Sequence, residues 1–308
     1  MSFVATHNSY AYGNQVAATQ NYNIEIQLKD GVRVFLLAAL KNPDPTRTDI
    51  VLCHTSCELL NAGTVTNTLK YFTVFLQNNP NDIITIFWRN DFSNLTSANF
   101  KTAFDEANLT SYCYTQPLGA DWPTMASIIK SGKRVINFLD SGADDKRLPL
   151  YMMNHFLYSV ISGIEIPARS IVNVTNSVSL SNQAQNCTNI FRQFPNFIAV
   201  DFYDQGTKTQ NVFSVVANYN GVPYVPQTYG NGSLLSTTNS ANIIIKNSLF
   251  NALISLLLLT LSELKDLCVT CGISARGNKW DIIIGGAQDR VGEAKEVIWD
   301  DERVVDWT

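Results

Sequence analysis

The sequence predicts an α/β fold built on a parallel sheet covered by helices, either open or closed into a barrel. Three observations carry this reading. Six short runs rich in branched or aromatic residues, bounded by polar or turn-forming ones, read as strands. Segments with helical periodicity lie between them. The strand runs are nearly continuously apolar, as required where helices bury both faces of a parallel sheet.

Phe3–Thr6 is the first strand and ends at the polar cluster His7-Asn8-Ser9. Val32–Leu40 is the second, Ile50–His54 the third and Asp82–Trp88 the fourth, and Lys133–Leu139 and Phe197–Phe202 follow. A seventh strand is read around Ser170–Val174. Among the helices, Val65–Gln77 carries Val65, Leu69, Phe72, Val74, Phe75 and Leu76, and Asn78-Asn79-Pro80 closes it. Thr96–Ala107, Thr124–Lys130 and Gln210–Ala217 are shorter helices. No internal repeat is visible.

The chain is a composite. Residues 1–262 hold 16 basic and 16 acidic side chains, so the body is neutral, and the last 46 residues supply the whole net charge of −4. The expected organisation is a barrel or sheet domain in 1–225, a linker in 226–247, an apolar segment in 248–262 and a charged tail of uncertain origin in 263–308. Ser248–Ser262 is 15 uncharged residues dominated by leucine. That is short for a membrane span, which needs about 20. It reads either as a buried or interfacial helix or as the hydrophobic part of a lipid-anchor signal, although such a signal ends its chain. No basic-then-apolar leader precedes Phe3, so no secretory signal is read in this chain.

Composition excludes several function classes. With 45% apolar and 16% charged residues the chain is not disordered. The neutral body and acidic tail argue against binding nucleic acid through a basic face. Cys268 and Cys271 form a lone C-x-x-C with no second ligand pair, which is weak support for a metal site. The scattered Cys53, Cys57, Cys113 and Cys187 allow two disulfides in an oxidising compartment. At least one of Cys53 and Cys57 is expected to be bridged, stiffening the segment that carries His54; the alternative is a buried thiol at Cys53.

Only three histidines exist, and two of them stand at strand ends. His7 follows the first strand and His54 closes the third, within Leu52-Cys53-His54-Thr55-Ser56-Cys57. Catalytic side chains collect at the carboxyl ends of parallel strands, so the pair is read as a general base and a general acid. His155, within Met152-Met153-Asn154-His155, is read as a structural helix residue. Asp201 interrupts the apolar run Ile198-Ala199-Val200-Asp201-Phe202-Tyr203, and a buried carboxylate there needs a partner such as histidine. Asp140 is a second strand-end carboxylate, and Arg89 at the end of the fourth strand suits a phosphate. There is no G-x-S-x-G, H-E-x-x-H or phosphate-binding loop.

Taken together, Phe3-Val4-Ala5-Thr6-His7-Asn8-Ser9-Tyr10, Asp30-Gly31-Val32-Arg33 and Leu52-Cys53-His54-Thr55-Ser56-Cys57 resemble the X-type domain of phosphatidylinositol-specific phospholipase C. The likeness is to its fungal phospholipase-C-like phosphodiesterase members. Trp122-Pro123-Thr124, Ser131-Gly132-Lys133-Arg134-Val135 and Pro195-Asn196-Phe197 with Val200-Asp201-Phe202-Tyr203 extend it to about residue 220. The resemblance implies a TIM-type barrel, incompletely closed, with a non-barrel C-terminal tail. It further implies a phosphoric diester hydrolase acting as a monomer, at a membrane surface, on inositol phospholipids or glycosylated inositol lipids. His7 would activate the inositol 2-hydroxyl, His54 would protonate the leaving group and Asp201 would orient His7. Asn8 and Arg89 would contact substrate; Asp140 is placed with them on its strand-end position alone. The expected location is secreted or cell-surface, with the apolar segment as a possible anchor.

The departures point to a second class of function. The family's second strand carries two polar residues where this chain has Leu36 and Ala38. Neither can bind calcium or neutralise a phosphate, so no metal cofactor is expected. Arg33 does not substitute, because strand alternation sends it to the opposite face. Family members also carry a stretch between the fifth strand and Asn154-His155 that is missing after Leu150. A catalytically weakened barrel that binds lipid headgroups or cell-wall material is the alternative.

Overall fold

The computed structural model describes residues 1–90, 95–117, 120–139, 150–161, 164–230, 270–276 and 279–284. Asp140, the segment Ser248–Ser262 and most of the charged tail lie outside the described residues. The strands are β1 (Phe3–Thr6), β2 (Val34–Lys41), β3 (Ile50–His54), β4 (Ser56–Thr64), β5 (Ile84–Arg89), β6 (Cys113–Tyr114), β7 (Val135–Leu139), β8 (Met152–His155), β9 (Tyr158–Ile161), β10 (Ile164–Pro167) and β11 (Phe197–Val200). Between them run α1 (Ile24–Lys29), α2 (Val65–Asn78), α3 (Ser97–Glu106), α4 (Met125–Ser131), α5 (Val172–Val174), α6 (Leu180–Phe191) and α7 (Val212–Tyr219). Backbone strands β12 (Thr270–Arg276) and β13 (Lys279–Ile284) pair with each other, and β12 adds antiparallel to β8.

Local chemistry sets the helix ends. Thr64 caps α2 by accepting from the Asn67 N–H, and Val65, Leu69, Phe72 and Leu76 then bury one face. Asn211 and Ser214 form a capping box that starts α7 two residues later than the apolar pattern alone suggests. Gly132, at φ +73°, takes the left-handed position that stops α4 and feeds β7.

Seven strands run parallel in the order β8-β11-β1-β2-β5-β7-β6. No pairing among the described residues joins β6 back to β8, so the barrel is open there. Register stacks the interior in layers. Ala5, Val34, Thr85, Ile136, Ala199 and Asn154 share one level, and Leu36, Phe87 and Phe138 share the next. Ala38 faces Arg89 one step higher. Phe3, Ala5, Val34, Leu36, Phe87, Phe138, Met152, Phe156, Phe197 and Ala199 pack as one cluster that fills the interior. The opposite faces of the same strands pack against α2 and α3 through Phe35, Ile84, Ile86, Trp88, Phe72, Phe100 and Phe104. The sheet therefore has two buried faces, which explains its continuous apolar runs.

Three expectations need correction. Ile50–His54 does not join the parallel set: β3 runs antiparallel to both β2 and β4. Residues 42–49 are too few for the dozen or more that a parallel crossover requires, so only a hairpin is possible. Ser170–Val174 forms a 3₁₀ turn and one turn of helix instead of a strand. Its branched residues mislead, because Ile171 and Val174 are exposed and only Val172 is buried, with no sheet to pair with. His155 lies in a strand, since β8 pairs parallel with β11. Burial of Met152, Met153 and His155 on both faces of β8 hides the two-residue period.

Candidate active site

β1 and β11 deliver the first pair. Their parallel register sets Thr6 beside Val200, so the next residues, His7 and Asp201, leave the sheet side by side. The His7 Nδ1–H donates to Asp201 Oδ1 at 2.8 Å. That leaves the Nε2 lone pair directed outward, where it meets the Asn8 amide at 3.1 Å. Asp201 is buried, and burial pushes its carboxyl above the usual carboxylate range, opposed by the charge and hydrogen bond of His7 and the charge of Arg169. Gln20 pins the following loop by donating to the carbonyls of both His7 and Val200, at 2.9 and 3.0 Å. Phe156 stacks on the His7 ring at 3.9 Å, and the Tyr158 hydroxyl lies 3.3 Å from Nδ1.

His54 reaches the same rim by another route. It sits at the tip of the β3–β4 hairpin, paired with Ser56 across Thr55, whose φ is +63°. The Cys53–Cys57 disulfide brackets that turn. The His54 Nδ1–H donates to the Ala17 carbonyl at 2.5 Å, which fixes the tautomer and points Nε2 away from the loop. Burial lowers its pKa to about 4, and the nearby charges of His7 and Arg89 act in the same direction. The two imidazoles stand edge to face with centroids 6.4 Å apart, close enough to contact one phosphoryl group.

Arg89 ends β5 on the exposed rim beside Ala38, and its charge acts on His54, Tyr10 and Tyr158. Arg33 is indeed elsewhere, held by Asp82 at 2.7 Å and lying over the Phe75 ring. The structure thus brings His7, Asn8, His54 and Asp201 together, with Arg89 in electrostatic range. Phe156, Tyr158 and the Ala17 carbonyl are partners that sequence reasoning missed. Phe156 directly follows β8 and Tyr158 opens β9 two residues later, so the rule that locates His7 at a strand end leads to them once β8 is read as a strand.

Thiol labelling tests the His54 turn. Cys113 is free and half-buried, with its thiol pushed up to about 11 chiefly by that burial. On unfolding without reductant Cys113 should react, whereas Cys53 and Cys57 should react only after reduction. Labelling of Cys53 and Cys57 without reductant would refute the bridge.

The PI-PLC X 1 family model matches residues 1–151 and 145–215. The chain belongs to the PI-PLC X family. A protein of Arthroderma benhamiae called an uncharacterized secreted protein is 31% identical, covering 76% of this chain and 64% of the relative's own length. The PI-PLC X domain-containing protein 1 of the same fungus is 29% identical, over 67% of this chain and 81% of that protein. Two structures of phosphatidylinositol-specific phospholipase C from Staphylococcus aureus, one of them a mutant, superpose with TM-scores of 0.51 and 0.50. Each is 13% identical and covers 72% of this PI-PLC X chain and 92% of the other. They show the fold, a TIM-type barrel. No helix among the described residues of the PI-PLC X chain is long and apolar enough to cross a membrane.

Proposed function

We propose that this PI-PLC X protein is a phosphoric diester hydrolase that cleaves inositol phospholipids or glycosylated inositol lipids by internal attack. The observation that carries the reading is the arrangement of His7, Asp201 and His54 at one rim of the barrel. His7 Nε2 takes the proton of the inositol 2-hydroxyl, whose oxygen bonds to phosphorus as the bond to the diacylglycerol oxygen breaks. Asp201 stabilises the imidazolium that forms. His54 gives its Nε2 proton to the leaving oxygen. Before substrate arrives it is neutral at pH 7 with its proton on Nδ1; the anionic phosphodiester within a few ångströms favours the charged form, so Nε2 takes its proton from solvent as substrate binds. The Asn8 amide, now on His7 Nε2, turns to the phosphate with Arg89. Leu36 and Ala38 offer no ligand atoms, so the reading has no calcium in it.

The rim suits a lipid surface. Residues 8–22 contain no charged side chain. Tyr12, Val16, Leu59, Val160, Ile164 and Val174 are large apolar side chains exposed on the segments that surround the two histidines. A secreted or cell-surface location is part of this reading, and the relative called secreted supports it.

The test is hydrolysis of phosphatidylinositol in vesicles, followed by the release of cyclic inositol phosphate. Turnover should be unchanged by EDTA; loss of turnover on chelation would remove the metal-free mechanism. One observation favours a second reading: Arg89 faces Ala38 above an interior layer of Leu36, Phe87 and Phe138, which leaves little to neutralise a phosphorane. Vesicle binding without any product would establish that reading, a headgroup-binding pseudoenzyme.

A further inference from the structure

The run from α5 to α6 is broken where it passes the site. Thr175–Ser179 makes a wider π-type turn, and Asn176 (φ −82°, ψ 15°) and Ser177 (φ −116°, ψ −113°) leave helical geometry. Such interruptions recur where a helix must present one particular group. Here that group is the Asn176 side chain, which is 1% exposed. Its Nδ2 donates to two successive carbonyls, those of Asp201 at 2.8 Å and Phe202 at 3.0 Å. Two acceptors fix which end of the amide faces the backbone.

Those carbonyls belong to the turn that aims Asp201. Immediately beyond β11, Phe202 takes φ +47°, an uncommon conformation for an aromatic residue. The turn directs the Asp201 carboxylate at His7. Gly206 closes the same loop against the helix break: a Cβ there would lie 2.8 Å from the Asn176 carbonyl oxygen. Asn176 Oδ1 and Asp201 Oδ2 have no hydrogen-bond partner among the described residues, and both residues line one small cavity with Phe156, Thr175 and Phe202. The amide therefore grips the backbone of Asp201 without donating to its carboxylate, whose one hydrogen bond goes to His7.

We propose that Asn176 is a positioning residue that holds the Phe202 turn and thereby sets the Asp201–His7 hydrogen bond. Its consequence for turnover rests on the reading of His7 as the general base; its consequence for the hydrogen bond does not. The two consequences are separately measurable.

Imidazole proton NMR of the full chain gives the first readout. The His7 Nδ1–H, bonded to Asp201, is the reporter, and the His54 Nδ1–H, bonded to the Ala17 carbonyl, is the internal control. Asn176→Ala should shift the His7 proton signal and speed its exchange with water while leaving the His54 signal in place. Asp201→Asn should shift the His7 signal too, and adding Asn176→Ala to it should change nothing further. Asn176→Ser, which keeps one donor, should give an intermediate shift and serves if the alanine protein does not fold. In the phosphatidylinositol vesicle assay, Asn176→Ala should lower kcat about 10-fold with KM unchanged, since an ångström of misplacement is worth up to ~10²-fold. A folded Asn176→Ala or Asn176→Ser protein with the wild-type His7 signal would overturn the proposal. So would an effect of Asn176→Ala that persists in full in the Asp201→Asn background. If the wild type turns over no phosphatidylinositol, the hydrolase reading fails while the NMR series still decides the role of Asn176.

Discussion

His7→Ala and His54→Ala should each lower phosphatidylinositol turnover by about 10²–10⁴-fold, the usual worth of a positioned acid or base. Combining them should cost little more than either alone, because base and acid serve one concerted displacement. Stability separates the two variants. His54 is held by the Ala17 carbonyl and the bracketing disulfide, so its loss trims a surface turn. His7 is the only hydrogen-bond partner of Asp201 on its side-chain oxygens among the described residues, so His7→Ala strands a buried carboxyl at a cost of roughly 1–3 kcal/mol. Adding Asp201→Asn to His7→Ala should return part of that stability and none of the activity. Urea unfolding and initial rates on the three proteins check this. Wild-type rates in either single variant would remove that histidine from the mechanism.

The chemistry of this site was more legible in the sequence than its geometry. His7 and Asp201 could be found because each is a polar residue that ends an otherwise apolar strand, and parallel register places such ends together. His54 was found for an incomplete reason: its strand is antiparallel, and it reaches the rim because a hairpin folds back from above β2. The loop length 42–49 already contained that information. Phe156 and Tyr158 were hidden because β8, buried on both faces, does not show strand periodicity. Asn176 was beyond reach. Its role depends on a helix break and a left-handed turn 26 residues away at Phe202, and neither leaves a compositional signal. The missing cationic partner at Ala38 was legible at once, because it concerns residue identity alone. Asp140 lies outside the described residues.

Acid should unfold the protein through its neutral histidines, and His155 isolates the effect. It is 3% exposed, donates Nε2–H to the Thr175 carbonyl at 2.9 Å, and has its pKa lowered to about 4 by burial. In the unfolded chain a histidine titrates near pH 6.5. Between those two values the unfolded state binds more protons than the native state, so stability falls as pH falls from about 6.5 to about 4 and is flat above 6.5. At about 1.36 kcal/mol per pH unit, the loss through His155 is about 3 kcal/mol. His54, also lowered to about 4, acts in the same direction. Asp30, Asp201 and Asp204 act in the opposite one, because burial raises their pKa values and the native state takes up their protons first. The wild-type curve is therefore a sum, and a difference between proteins is the clean measurement. His155→Gln keeps an amide donor for Thr175 and does not titrate. It should be the less stable protein at pH 7.5, and its deficit should shrink by about 3 kcal/mol by pH 4 in urea unfolding. An unchanged deficit at both pH values would mean that His155 is protonated in the native state. The position of Thr175, one residue before Asn176, gives this titration a functional reach. Acid adds a proton to the buried His155 Nδ1, which has no hydrogen-bond partner among the described residues, and the resulting charge lies against the helix break that holds the Asp201 turn. The His7 Nδ1–H signal should therefore weaken in acid before the chain unfolds, and His155→Gln should extend its survival to lower pH.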